Sequence, residues 1–434
     1  MQTKSTFTDL SGGGRDSVSA DTIVVPARFA ETPEASHRTA QRLLRGAPSG
    51  LQVTPSVERW RRLARGLMMG DALADAVAAC MHREGRRRVW MMFELALEQG
   101  IDQVDDPPIE LRAFFDEIAT VPAWVRLDLV EEGARAAALG GRAGMNALLV
   151  NGLMAGYRFS AINRVLLATG QLDGAVARRV AFTTQWWFDV TAQDRLGRFD
   201  EGFKSTVRVR LIHAMVRQRL APGWSREDLG VPVNQTDMQA TYLGFSTVYL
   251  LGLRMMGVVL SAHEKAAFMH RWRYLAWLSG VQDEFLHELK EEVVGGLIAL
   301  YQNVMSQRLG DETTVQLTSA LLEEPLARHY RFASAWMGRY NRAVLLSIAS
   351  VSIGAEGLRQ MGIRARPWPW YPLLMFLRNQ LVHRGHRMFP GGSRRLARLG
   401  RRQQRAALDE VRGRKPALDH GIGSAAGKSN VSSR

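Results

Sequence analysis

The chain has 434 residues, of which 46% are hydrophobic, 23% are charged and a single one, Cys80, is cysteine. An apolar fraction of this size is enough for a large core, and the length allows one enlarged helical domain with tails as well as two domains. One cysteine excludes a disulfide framework within the chain and a zinc or iron–sulfur site built from cysteines.

The net charge of +15 suggests nucleic-acid binding until the charges are located along the chain. Residues 361–434 carry +13 of it, and the residues before them carry only +2. Residues 391–434 alone combine nine arginines and two lysines with three acidic residues. We therefore predict a nearly neutral body followed by a basic, disordered tail over 391–434, and we expect no specific nucleic-acid partner.

Residues 1–50 are rich in Ser, Thr, Gly and Ala and show no lasting hydrophobic period, which predicts a flexible N-terminal segment. The opening stretch MQTKSTFTDLSGGGRDS contains neither the apolar run of a secretory signal nor a twin-arginine motif. We therefore expect a cytoplasmic protein.

Residues 51–390 show apolar side chains at every third or fourth position, which is typical of helices, and no sustained alternation typical of strands. The pattern predicts helices over 56–80, 108–118, 123–139, 143–156, 173–191, 203–220, 236–260, 262–279, 284–307, 313–322 and 325–356. We predict an all-α protein with a single large helical domain over residues 51–390.

One histidine, His213, stands among apolar residues and arginines in the stretch TVRVRLIHAMVRQRL, residues 206–220. Arg210, His213 and Arg217 are three and four positions apart, so they share one face of a helix. This arrangement suits a flat anionic cofactor, since the imidazole can ligate iron while guanidinium groups pair with propionates. The alternative is a core histidine that binds a backbone carbonyl, with the arginines at a solvated edge.

Two apolar segments also have alternative interpretations. Residues 242–260 are long enough to span a membrane, but Arg254 and three glycines favour a buried helix that lines a cofactor pocket. Residues 367–381, PWPWYPLLMFLRNQL, combine tryptophans, a tyrosine and flanking arginines, which is typical of a segment at a membrane interface. A packing arm on the domain surface is the other interpretation of this second segment.

A metal site built from protein ligands alone has weak support. Glu284 and His287 have the ExxH spacing of di-iron helical bundles, but the predicted helical domain, residues 51–390, has no second ExxH. His263 and His270 lack the HExxH spacing of zinc proteases. The sequence also has no phosphate-binding glycine loop and no serine-hydrolase elbow, so nucleotide and serine-hydrolase chemistry are not indicated.

Three segments of the chain resemble a known family. They are RRVAFTTQWWFDVT (178–191), GFKSTVRVRLIHAMVR (202–217) and HRWRYLAWLSGVQDEFL (270–286). They are similar to the latex-clearing-protein (rubber oxygenase) and MpaB-type oxygenase family over about residues 55–390, and RVRLIHAxVR is the most specific part. The resemblance implies an all-helical fold with a globin-like core that holds heme b.

By position in these motifs, His213 matches the proximal heme ligand of the family. Thr183 matches a threonine on the distal helix, and Arg179 matches the arginine one turn before it. Their hydroxyl and guanidinium groups could steer bound O2 by hydrogen bonding. With the arginines of the motif, the resemblance implies cofactor binding by Arg210, His213 and Arg217, and catalysis by Arg179 and Thr183.

The same comparison marks two departures. In rubber-cleaving members a lysine just before the threonine can close onto the iron, and a glutamate twenty residues before the threonine is the proposed base. Phe182 and Asn163 stand at these positions by ungapped count. The resemblance therefore implies heme binding more firmly than rubber cleavage.

We predict a b-type heme protein that binds O2 and oxidises an apolar substrate, such as an isoprenoid or a lipid. Phe182, Trp186 and Trp187 would line or back its pocket. The alternative is a helical heme or lipid carrier or sensor without turnover. We further predict peripheral membrane contact through the aromatic arm at residues 368–371 and the tail, against the alternative of a solvated tail that serves only solubility.

Overall fold

The computed structural model describes residues 25–30, 32, 40–44, 50–169, 172–286, 292–328, 330, 332–364 and 367–412. Within these ranges the regular structure is helical, and the strand-like pairing is one isolated antiparallel bridge between Phe29 and Gln307. The predicted all-α class is confirmed.

The α-helices, numbered in chain order over the described residues, are α1 Val57–Gly66, α2 Ala72–Glu84, α3 Arg86–Gln99, α4 Ile109–Ala119, α5 Leu127–Leu139, α6 Gly141–Ala147, α7 Ser160–Thr169, α8 Leu172–Val190, α9 Glu201–Leu220, α10 Arg226–Leu229, α11 Gln235–Phe245, α12 Thr247–Met255, α13 Ala262–Leu278, α14 Glu292–Met305, α15 Glu312–Ala327, α16 Ser334–Ser352, α17 Gly354–Gln360, α18 Trp370–Arg387 and α19 Gly392–Arg412. Short 3₁₀ helices lie at Gln41–Leu44, Ile101–Gln103 and Asp283–Phe285, and α6 continues into a π-helical segment, Leu148–Met154.

Local sequence sets several of the helix starts. Asp71 accepts a hydrogen bond from the backbone of Ala74 at the start of α2, and Asn234 caps α11 in the same way. At α13, Ser261 and Glu264 form a reciprocal capping box. Each such cap satisfies backbone N–H groups that the first turn leaves without intrahelical partners.

The centre of the molecule is the packing of α5 along α13. α5 is rich in alanine, and Gly133 lies against the backbone of α13 where a Cβ atom would meet the carbonyl of Ala267. Arg271 of α13 is fully buried and donates to three backbone carbonyls, those of Val130, Val190 and Ala192, at 2.7–2.8 Å. This arginine therefore ties α5, α13 and the end of α8 together.

A second apolar cluster lies beside this centre, where α2, α3 and α4 pack against one side of α9. Its middle is a group of phenylalanine rings, Phe93, Phe114 and Phe115, with ring centres 5.3–6.0 Å apart. The opposite side of α9 faces α8 and the centre of the molecule. Helix α9 thus separates a closed aromatic core from the region that contains the cavity described below.

The structure divides several of the predicted helices, and the first of them, 56–80, becomes α1 and most of α2. The apolar stretch 242–260 contains the end of α11 and the whole of α12, with a break at Ser246, and much of it is buried. The predicted helix 325–356 is interrupted between α15 and α16, where Pro325 lies in the last turn of α15. Among the described residues, no helix is long and apolar enough to cross a membrane.

The predicted disordered tail is wrong for residues 392–412, which form α19. Leu396, Gln404 and Leu408 are buried against α5, α6 and α8, and the Gln404 side chain donates to the carbonyl of Ala137 at 2.8 Å. At Gly400 a Cβ atom would clash with the carbonyl of Ala138. The helix has arginines on its outer side because that side is exposed, and residues 413–434 lie outside the described part.

The predicted flexible N-terminal segment also needs correction at its described positions. Arg28 is buried and pairs with Asp237 of α11 through two hydrogen bonds of 2.9 and 2.7 Å. It also donates to the side chain of Gln307 at 2.8 Å. A buried, bidentate ion pair fixes this part of the segment against α11, whereas residues 1–24 lie outside the described part.

Candidate active site

A cavity of about 840 Å³ lies between α8, α9, α11, α12 and the π-helical segment, and it extends to α16 and α19. Its lining is mostly apolar, with a small number of polar side chains. Ligand-binding cavities have this character and volumes of roughly 300–1,000 Å³. The cavity is therefore the leading candidate for a functional site in the described part of the chain.

His213 projects from α9 into the wall of this cavity, beside Val209, Ile212 and Val216. The ring is half-buried, and its Nδ1 atom is fully covered without a hydrogen-bond partner in the described residues. The edge that reaches the cavity is therefore the opposite one, which carries Nε2. Buried polar atoms usually have partners, so an unpartnered imidazole on a cavity wall calls for a functional explanation.

The environment keeps His213 uncharged at neutral pH. Burial and, to a smaller extent, the positive charge of Arg217 lower the pKa of the imidazole to about 4, against an opposing effect of the Asp71 carboxylate. A neutral imidazole has a free lone pair, which is the form that binds a metal. The site therefore presents one potential metal ligand in an apolar cavity.

Helix α8 brings two more of the predicted residues to the same cavity. Arg179 and Thr183 are one turn apart, and both line the cavity together with His213. The Nε atom of Arg179 is buried without a partner among the described residues, and one Nη atom lies 3.5 Å from the carbonyl of Leu166. Arg179, Thr183 and His213 are therefore brought together by the fold.

Tyr157, which the sequence did not single out, also lines the cavity. It lies in the turn before α7, and its buried hydroxyl is next to the guanidinium of Arg179 but has no well-formed hydrogen bond with a described residue. Burial raises the pKa of Tyr157 above its usual value, whereas the nearby charge of Arg179 lowers it. The hydroxyl thus stays protonated at neutral pH and can donate a hydrogen bond into the cavity.

Three aromatic rings form one wall of the cavity. Phe245 and Trp272 stack with ring centres 5.2 Å apart and an interplanar angle of 3°. Trp186 contacts both edge-on, at 5.4 and 5.9 Å. Trp187 is fully buried behind this wall and packs against Tyr249 instead. The prediction that Trp186 and Trp187 would line or back the pocket agrees with these positions.

Arg210 and Arg217 do not line the cavity. Arg210 pairs with Asp71 through bonds of 2.7 and 3.1 Å and lies 2.8 Å from Glu117. Arg217 pairs with Asp75 at 2.7 Å and donates to the carbonyl of Val233 at 2.9 Å.

Both guanidinium groups are thus buried among protein partners beside α2, adjacent to the side of α9 that faces the cavity. This placement does not support the predicted role in cofactor binding. The described arginines that do line the cavity are Arg142, Arg158, Arg179, Arg254 and Arg328.

The far end of the cavity is polar. Arg142 of α6 pairs with Glu410 of α19 through two bonds of 2.6 Å. Ala407 and Val411 of α19 also belong to the cavity wall. Helix α19, predicted as a tail, is therefore part of the site.

Residues 129–384 match the family model described as "ER-bound oxygenase mpaB/B'/Rubber oxygenase, catalytic domain". This range is more than half of the chain and includes α8, α9 and the residues of the cavity wall that they carry. The chain belongs to this family. The predicted family resemblance is confirmed.

Two similar proteins extend the comparison within the mpaB and rubber oxygenase family. The rubber oxygenase of Streptomyces sp. strain K30 is 26% identical over 229 residues, which are 50% of this chain and 54% of that protein. The chain thus spans about half the length of this curated relative. The structure of a latex clearing protein in its closed state aligns with a TM-score of 0.61 at 18% identity, over 88% of this chain and 95% of that one. The second likeness shows a shared fold.

The positions at which the sequence departs from rubber-cleaving members of the family have distinct environments. Phe182 lies on the cavity wall with 58% of its side chain exposed. Asn163 is fully buried outside the cavity wall, where it donates to the carbonyl of Tyr157 at 2.6 Å and to the hydroxyl of Thr313 at 3.0 Å. The residue at the counted glutamate position therefore has a structural role, and Tyr157 is the polar side chain that reaches the cavity near it.

The di-iron alternative gains no support. Glu284 forms ion pairs with Arg62 and Arg65, at 3.5 and 2.7 Å. His287 lies outside the described residues. In the described part of the chain, no group of three or more His, Cys, Asp and Glu side chains is arranged to hold a metal ion.

Proposed function

We propose that the protein binds heme b through His213 and uses it with O2 to oxidise an apolar, isoprenoid-like substrate. The observation that carries this proposal is the neutral, unpartnered imidazole of His213 on the wall of a large apolar cavity that also contains Arg179 and Thr183. Membership of an oxygenase family supports the same conclusion.

The residues present fit the proposed cofactor. His213 offers one nitrogen ligand, and Val209, Ile212 and Val216 provide an apolar surface beside it. The arginines of the cavity wall would supply the positive charge that propionates require, and Arg142 and Arg328 would share theirs with Glu410 and Glu324. A heme held in this way supplies the redox-active iron at which O2 is activated.

The other polar groups of the wall have roles that follow from their chemistry. Thr183 and Arg179 can donate hydrogen bonds to a polar ligand within the cavity, and Tyr157 can hold a proton there. Trp186, Phe245 and the other rings of the wall exclude water and offer flat surfaces to an unsaturated hydrocarbon chain. Each of these groups would act on a substrate that has little polarity of its own.

The substrate class follows from the apolar lining and from the family. One relative is named for its action on rubber, and we propose a smaller unsaturated isoprenoid or lipid for this chain. Phe182 enlarges the apolar surface at the position where rubber-cleaving relatives carry a lysine. We therefore expect this protein to differ from those relatives in how it binds O2 or in which substrate it accepts.

Oxygen uptake by the reduced, heme-loaded protein tests this proposal. Squalene, a polyunsaturated isoprenoid, should stimulate uptake, whereas squalane, its saturated analogue, should not. A protein that retains heme but shows no uptake with any unsaturated isoprenoid or lipid would instead be a carrier or sensor.

A further inference from the structure

Helix α18 carries an apolar face that the described part of the protein leaves uncovered. Leu373, Leu374, Leu377 and Leu381 have 55–76% of their surface exposed, and Met388 just after the helix has 80%. Their spacing of three and four residues places them on one side of the helix, opposite the buried Tyr371 and Asn379. Contiguous exposed apolar surface on a folded domain indicates an interaction site.

Aromatic side chains border this face at the start of the helix. Trp336 of α16 stacks on Tyr340 with ring centres 5.5 Å apart, and Tyr340 contacts the ring of Trp370 at 5.9 Å. Trp336 and Trp368 are 63% and 71% exposed. Tryptophan and tyrosine are enriched at the level of lipid headgroups, where one part of the ring system is in water and the other in hydrocarbon.

The charge around the apolar face has one sign. Residues 357–408 contain twelve arginines and no aspartate or glutamate. Arg378 and Arg384 lie on the same side of α18 as the leucines, and Arg394, Arg395, Arg398 and Arg402 lie along α19. None of these six forms an ion pair with a described residue.

This combination identifies the occupant by its chemistry. A second copy of the chain would bring two rows of unpaired arginines together, which is electrostatically unfavourable. The C-terminal residues 413–434 are themselves basic and contain no aromatic residue. An anionic lipid surface suits all three kinds of side chain on this face. Leucines can enter the hydrocarbon edge, tryptophans can occupy the headgroup level, and arginines can bind lipid phosphates.

We propose that the apolar face of α18, bordered by Trp336, Tyr340 and Trp368, docks on the surface of an anionic lipid membrane. The attachment keeps the aromatic arm of the predicted membrane contact but replaces the predicted tail with the folded helices α16 and α18. Helix α16 connects this surface to the cavity, since it carries Trp336 and Tyr340 outward and contributes Asn341 and Leu345 to the cavity wall. The proposal does not depend on heme binding and goes beyond the proposed function.

Co-sedimentation of the full chain with lipid vesicles tests the docking. The protein should bind vesicles of phosphatidylcholine with phosphatidylglycerol at low salt, and should bind weakly to phosphatidylcholine alone. Raising the salt should release it, because exposed charges are screened beyond about 10 Å at 0.1 M ionic strength. The double substitution Leu377→Glu/Leu381→Glu should lower binding by about tenfold or more, since it places negative charge on the inserted face.

Three further variants separate the possible explanations. Met91→Glu/Ile109→Glu changes two exposed apolar residues elsewhere and should bind as the unaltered protein does. Arg378→Glu/Arg384→Glu should lose binding to the anionic vesicles. Truncation after Arg412 leaves every described helix intact and should retain binding.

Thermal unfolding of each variant establishes that it is folded. The proposal is overturned if the unaltered protein does not bind anionic vesicles, or if the Leu377→Glu/Leu381→Glu variant binds them as tightly as the Met91→Glu/Ile109→Glu variant. It is also overturned if the unaltered protein is a dimer that the same substitution separates, because the face would then bind a second copy. Loss of binding on truncation after Arg412 would also overturn the proposal, because residues 413–434 would then carry the membrane attachment.

Discussion

Two adjoining sides of helix α9 differ in how their polar groups are satisfied. On the side that faces α2, α3 and α4, Arg208, Arg210 and Arg217 each bind a carboxylate at 2.7–3.0 Å. On the side that faces the cavity, His213 has a covered Nδ1 atom without a partner. One helix thus presents completed ion pairs on one side and an available ligand on the other.

This difference in pairing distinguishes residues that stabilise the fold from residues that are available to bind a ligand. A buried guanidinium with a carboxylate partner has its charge compensated within the protein, although one Nη atom of Arg217 has no hydrogen-bond partner among the described residues. A neutral imidazole on a cavity wall keeps the lone pair of its Nε2 edge available to a ligand in the cavity. Substitutions on the two sides should therefore have different consequences for stability and for ligand binding.

Removal of a carboxylate from the closed side should have the largest effect on stability. Asp71→Ala leaves the buried guanidinium of Arg210 without its bidentate partner and also removes the cap of α2. Breaking a buried pair from one side costs about 3–5 kcal/mol. Urea unfolding should show this loss in the free energy of unfolding, whereas the heme content per folded molecule should not change.

The matched control is Asp128→Ala, because the pair of Asp128 with Arg126 is exposed. This variant should lie much closer to the unaltered protein in the same urea experiment. Equal losses for both variants would mean that the Arg210 pair does not stabilise the closed side of α9.

The sequence predicted His213, Thr183 and Arg179 as site residues, and the fold brings them to one cavity. It did not predict that Arg210 and Arg217 lie beside the cavity side, because their partners Asp71 and Asp75 are more than 130 residues away in the sequence. No local signal links the two pairs, since the acids at the start of α2 are four residues apart and the arginines of α9 are seven residues apart.

Two other features depended on long-range packing. Helix α19 has a helical period in Leu396, Gly400, Gln404 and Leu408, but its arginine content outweighed that period in the prediction. Tyr157 gave no signal at all, because its role follows from the position of a turn against α8. The fold class, by contrast, followed from hydrophobic spacing that recurs along most of the chain.

The pH dependence of stability should report the buried imidazole. The pKa of His213 falls from 6.5 to about 4 on folding because burial and Arg217 disfavour the cation. Between these values the unfolded chain binds the proton and the folded protein does not, so stability falls as the pH falls through this window.

In the apoprotein, His213→Gln should reduce the slope of unfolding free energy against pH between 4 and 6.5. The expected change is about one proton, or about 1.4 kcal/mol per pH unit. His383 is a useful comparison, since burial and Arg387 also lower its pKa to about 4 and it does not line the cavity. His383→Gln should change the slope similarly but leave heme binding intact, and an unchanged slope for His213→Gln would contradict the buried neutral state.

The smallest expected effects come from α8. Thr183→Val removes a neutral donor and Arg179→Ala a charged one, which are worth about 0.5–1.5 and about 1.5–3 kcal/mol. Both variants should keep heme and unfold as the unaltered protein does, but should show faster autoxidation or lower O2 uptake with squalene. Arg178→Ala, which removes the exposed neighbouring arginine, is the control and should behave normally. Normal O2 handling by both cavity variants would place α8 outside the reactive side of the cavity.

The central claim, that His213 would hold the iron of a bound heme, is tested most directly by heme titration of the apoprotein followed by absorption in the Soret region. The unaltered protein should bind one heme with the spectrum of a histidine-ligated b-type protein. His213→Gly should lose this spectrum and most of its heme affinity, and added imidazole should restore the spectrum by filling the vacated position. Full heme binding by His213→Gly without imidazole, with an unchanged spectrum, would contradict the claim.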